Sequence, residues 1–224
     1  MMLRFYRFGG GPGAAEAESV EVALDGTISG WRSVSRRGVG WFAGLLPEGE
    51  VEQLAAAVAA VETLPAPTGV RPPGAGTETL ELAGRDPVQL AGVGEGDPEA
   101  WRLIRDAGRR LLERLTDFPR AAVGIRLPDD KHAELFHLGA DPLVLDLAAV
   151  DVEVAAWRGY YEPAGQWAGR VTGPERVEVA SGWSFPVPIE PIGAENVTLH
   201  VSATFRIIAD AGEAQVTVSH APDL

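Results

Sequence analysis

The hydrophobic pattern changes its period once along this chain, near residue 120, and that change limits the folds open to it. Before it, Val51, Leu54, Ala55, Val58 and Val61 fall at helical spacing, as do Trp101, Ile104, Leu111, Leu112 and Leu115. After it no helical stripe recurs. Val150, Val152 and Val154 alternate with Asp151 and Glu153, and Val197, Leu199, Val201, Ala203, Phe205 and Ile207 alternate with polar residues in the same way. A helix-bearing layer and an all-β layer are therefore expected in one chain of 224 residues, a length that suits two small domains. Asp117-Phe118-Pro119 supplies the break, so residues 1–119 and 120–224 are read as separate domains. Charge shifts at the same place, with 17 acids and 13 bases up to residue 120 and 15 and 6 beyond it.

Within residues 1–119 the order reads strand, hairpin, helix, hairpin, helix. Phe5, Tyr6 and Phe8 form a strand that stops at Gly9-Gly10-Gly11-Pro12-Gly13. Asp25-Gly26 between alternating runs predicts a hairpin with a two-residue type I′ turn. A helix is expected over 48–63, stopped by Leu64-Pro65, and a hairpin over 79–90. A second helix follows Asp97-Pro98-Glu99, with Asp97 as its N-terminal cap. The expected fold is α+β: an antiparallel sheet with two helices on one face, then an all-β domain of seven short runs, a sandwich or an open barrel.

Net charge is −13 and cysteine is absent. The first repels phosphate backbones and anionic headgroups, so neither nucleic acid nor a membrane surface is an expected partner. The second excludes disulfides, thiolate nucleophiles and cysteine-ligated metals. No apolar run approaches the ~18 residues of a membrane span, and the charged N-terminal segment is read as cytoplasmic.

No residue is assigned a catalytic, cofactor or metal role. Gly92, Gly94 and Gly96 miss the dinucleotide spacing and carry Glu95 and Asp97 where a phosphate would sit. His132 and Glu134 share a strand face while His137 points away from it. Ser184 lacks the glycines of a nucleophile elbow.

Binding surfaces are the remaining signal. Trp31, Arg32, Arg36, Arg37, Trp41 and Phe42 crowd a glycine-bearing loop and strand end, and Trp and Arg are enriched where protein interfaces hold their energy. Tyr160, Tyr161 and Trp167 stand in a Gly/Pro-rich connection, a place for sugar or protein contact. Residues 2–116, from Arg7-Phe8-Gly9-Gly10 through Leu64-Pro65 and the hairpin to the closing helix, resemble the emfourin family of bacterial protein inhibitors of thermolysin-type metalloproteases. Gly11 stands where that family commonly has an aromatic, and the connection over 34–46 is longer. The resemblance implies a non-enzymatic, cofactor-free protein that occupies a partner's surface, here a metalloprotease, through Gly9, Gly10, Arg36, Arg37, Trp41 and Phe42. A carbohydrate-binding sandwich using Tyr160, Tyr161 and Trp167 is the alternative expectation, and an enzyme with an acidic site a second.

Overall fold

The structure, a computed structural model, describes residues 1–9, 17–69, 73, 76–94, 96–159, 162–193, 195–209 and 212–220. It is mostly β, with two helices, and its sheets are open. Two compact units emerge: Met1–Arg32 with Trp41–Phe118, and Ser33–Gly40 with Pro119–Leu224.

In the first unit, β1 (Leu3–Phe8), β2 (Ala17–Val22), β3 (Thr27–Arg32), β5 (Val39–Leu45), β6 (Thr77–Leu82) and β7 (Val88–Gln89) lie in the order β5, β3, β2, β1, β6, β7. The pairs β1/β2, β1/β6, β2/β3 and β6/β7 are antiparallel. Alternation decides which side is buried: Leu3, Phe5, Val20, Val22, Ile28, Leu80 and Leu82 are inside. They meet α1 (Glu48–Glu62), through Leu54, Val58 and Val61, and α2 (Glu99–Arg114), through Trp101, Ile104, Leu111 and Leu112. Gly108 lets α2 approach β1, because a Cβ there would lie 2.4 Å from the Phe5 ring. Arg85 closes α1 by donating to the carbonyls of Val61, Glu62 and Leu64 at 2.7, 2.9 and 3.1 Å.

Two local expectations differ from the outcome. Only Gly26 of the Asp25-Gly26 pair has positive φ, at 84°, and the Ala23 N–H donates to Thr27 O, so the loop has three residues and ends in a left-handed glycine. Asp97 does not cap α2. Its carboxylate accepts from the N–H groups of Thr68 and Gly94, at 3.1 and 3.0 Å, and so ties two connections together.

The second unit has β8 (Pro119–Arg126), β9 (His132–His137) and β13 (Ser184–Pro188) in the order β13, β9, β8. Its larger sheet runs β11 (Glu162–Val171), β10 (Leu143–Arg158), β14 (Thr198–Ala209), β15 (Gly212–His220), β4 (Val34–Ser35), with β12 (Val177–Val179) also on β10. β8 packs against β14 and β15, and Val123, Leu145, Val152, Val154, Phe205 and Val218 are buried. Two segments read as connections are strands here. Residues 34–46 hold β4, parallel to β15, and β5. Gly40, at φ 118°, is required there because a Cβ would lie 2.3 Å from Ala121 O. The Gly/Pro-rich run around Trp167 is β11, held in register along β10.

Candidate functional site

The first unit's sheet has a second face, opposite the helices, and aromatic side chains stand on it. On β1 the alternation that buries Phe5 turns Tyr6 and Phe8 outward, leaving them 39% and 49% exposed. On β3, Gly30 and Arg32 point inward, so Trp31 points out; on β5, Phe42 points inward and Trp41 out. Register aligns these residues across the strands. Gln89 pairs with Thr79, Thr79 with Tyr6, Tyr6 with Ser19 and Ser19 with Trp31. The Trp31 and Trp41 rings are 4.3 Å apart, tilted by 47°. A neighbouring row holds Phe8 with Ala17 and Thr77, and Arg4 faces Glu81 at 3.9 Å. The face therefore offers apolar contact with hydroxyl and amide hydrogen bonding, and its charge sits at the end that holds Arg4, Glu21 and Glu81.

The layer beneath it is charged at one end. Arg32, 1% exposed, reaches Glu18 at 3.3 Å, donates to the Leu112 carbonyl and Thr116 Oγ1, and lies 4.9 Å from the Phe42 ring centre. Glu18 also accepts from Arg7 at 2.9 Å. Glu78, likewise buried, takes a two-pronged hydrogen bond from Arg109 at 2.7 and 3.0 Å, which holds that guanidinium protonated above its usual range. Arg7, Glu78 and Arg109, with Glu113 and Gly9 at φ 73°, line a recess of about 310 Å³.

The residues singled out from the sequence are thus divided. Trp41 joins Trp31 on the aromatic face, whereas Phe42, 1% exposed, is core because it follows Trp41 by one residue on a strand. Gly9 borders the charged recess, and Gly10 lies outside the described residues. Arg36 and Arg37 are exposed and belong to the second unit; the Arg37 N–H donates to Ser35 Oγ at 3.0 Å. Tyr160 and Tyr161 lie outside the described residues. Trp167 is half-buried on β11, opposite Val154, with its indole over Gly169, so it is no loop-borne platform. His132 pairs with Asp129 at 3.1 Å and Glu134 with Arg126 at 2.6 Å, each bound to its own neighbour. Sequence reasoning missed Tyr6 and Phe8 as surface groups, although aromatics on consecutive strand positions put rings on both faces of any sheet.

Comparison with models of known protein families and with curated proteins finds no match to this chain. Among the described residues, no helix is long and apolar enough to cross a membrane.

Proposed function

We propose that this is a non-enzymatic protein-binding protein that docks a partner on the aromatic face of its first unit, the partner being a thermolysin-type metalloprotease as the emfourin resemblance implies. The observation that carries the reading is the set of exposed Tyr6 and Phe8 with half-buried Trp31 and Trp41 on a sheet face opposite the two described helices. Large rings with polar tips supply contact area at small entropic cost, and they concentrate interface energy. The exposed Arg36 and Arg37 give the second unit a contact surface of its own. Ser19 between Tyr6 and Trp31, with Thr79 and Gln89 beyond Tyr6 in the same row, supports a carbohydrate as second reading. The 47° tilt between Trp31 and Trp41 weighs against it, since the two rings cannot both lie flat along one sugar chain.

The test is titration of a thermolysin-type protease with the purified protein. Inhibition is expected. Tyr6→Ala and Trp41→Ala should weaken it at least about tenfold, or ~1.4 kcal/mol, as interface residues do. Tyr6→Ala should leave the melting temperature unchanged. Full protease activity in excess protein removes the protease, and retention on a glycan array that Tyr6→Ala abolishes would replace it with a sugar.

A further inference from the structure

On the strands of the second unit, arginines come with acids. Arg120 lies 2.9 Å from Asp141, Arg126 2.6 Å from Glu134, Arg158 2.9 Å from Glu162, Arg170 2.6 Å from Asp151 and Arg206 3.5 Å from Asp146. Arg36 breaks the pattern. It is exposed, directly after β4, and among the described residues no carboxylate stands within ion-pair reach of it.

Two histidines share its corner of the larger sheet. His200 stands on the outer side of β14, because Val201 and Ala203 point into the core, and His220 ends β15 opposite Val201. The positive charges of Arg36 and His220 both reach the His200 imidazole and oppose its protonation. On β10, Ala155 is level with His200, and the Trp157 ring is centred 6.4 Å from the imidazole at a tilt of 57°. Glu153 is level with Ser202, two residues further along β14, and its charge does not offset the other two at His200. Three basic groups are thus gathered in a chain whose net charge is −13.

The two ring nitrogens of His200 differ. Nε2 is shut away from solvent without a hydrogen-bond partner, whereas Nδ1 is not. A buried N–H is left unpaired more rarely than a buried acceptor, so the proton of the neutral imidazole belongs on Nδ1. His200 then offers an N–H donor while carrying no charge, near the planar donor fork of Arg36.

Such a pair suits an anion with two oxygens, one taken by the guanidinium and one by the imidazole N–H. The acidic molecule as a whole repels anions in proportion to their charge, and a phosphate approaching −2 is repelled more than a carboxylate. We propose that Arg36 and His200 form a carboxylate-binding site, with His220 adding positive charge and Trp157 an apolar wall for the rest of the ligand. The carboxylate belongs to a free organic acid or to an acidic side chain of a protein partner. The site lies in the second unit and stands independently of the aromatic face.

The four histidines can be followed by NMR through their ring C–H signals, each assigned by its own His→Gln variant. Sodium acetate, exchanged for sodium chloride at constant ionic strength, should raise the His200 midpoint by roughly one pH unit at saturation, because a bound carboxylate favours the charged imidazole. His132 should not move. Arg36→Gln should act twice: it should raise the His200 midpoint of the free protein by removing a repelling charge, and weaken acetate binding at least about tenfold. A peptide with one glutamate and blocked ends separates the sources. A dissociation constant at least about tenfold below that of acetate assigns the site to a partner's acidic side chain, and an equal or higher one to a free organic acid. No response to acetate or the peptide, a response shared by His132, one that survives Arg36→Gln, or tighter binding of inorganic phosphate than of either probe overturns the proposal.

Discussion

Arg32 shows how one step of strand parity separates a surface residue from a buried one. Beside Trp31 in the sequence it reads as part of an exposed Trp/Arg cluster, yet on β3 it points the other way, under α2, against Glu18, Leu112 O and Phe42. Removing it leaves the buried Glu18 carboxylate with Arg7 alone. Arg32→Ala is expected to cost about 3 to 5 kcal/mol, because the loss of one partner leaves a buried charge less compensated. Urea unfolding measures this, and a cost near zero would mean that Glu18 reaches water. A second residue-scale prediction concerns pH. Burial first, then the positive charges of Arg36 and His220, hold the His200 imidazole below its ordinary range. For a base with a depressed folded value, the unfolded chain takes up the proton first as pH falls. The stability contribution is therefore complete above about pH 6.5 and declines below it, toward the folded pKa. His200→Gln should flatten the melting-temperature profile over that window. Equal slopes for the two proteins would contradict the assignment.

At the scale of elements, legibility followed the strength of the period. α1 and α2 are readable because their apolar residues recur at helical spacing, and the closing strands because theirs alternate. β11 is not, since Pro163, Gly165 and Gly169 carry poor strand propensity and its extended form depends on β10, a long neighbour from an earlier part of the chain. β4 has two residues and no pattern to read. The aromatic face was half legible: Trp41 was singled out for being aromatic, but its companions Tyr6 and Phe8 are recognisable only once the opposite face is known to hold the helices. Glycine in α2 marks the helix–sheet contact. Gly108→Ala should destabilise by about 1 to 3 kcal/mol despite alanine's better helix propensity, because the added methyl meets the Phe5 ring. Gly49→Ala, in the first turn of α1 with nothing within 4 Å, should instead stabilise by roughly 0.5 to 1 kcal/mol. Thermal unfolding of both variants checks the pair, and the same sign for both would refute the packing argument.

For the whole molecule, the chain passes from one unit to the other and back before finally leaving the first. Residues 33–40 group with the second unit although both their flanks belong to the first, and Val34 lies opposite Thr217 in a parallel pair. Nothing in the local sequence announces that pairing, because its partner strand is almost the whole chain away. A fragment beginning at Pro119 accordingly lacks β4 and the glycines that seat against β8. The arrangement also sets a schedule during synthesis. A ribosome delivers β4 long before β15, so the first unit has all its residues once Phe118 has emerged, while β4 waits for its partner strand until translation reaches residue 220. A nascent chain stalled before Gly212 would hold Val34 and Ser35 without their partner strand, anchored at both ends in a unit that has finished folding, and it is in that interval that a chaperone or protease would find them.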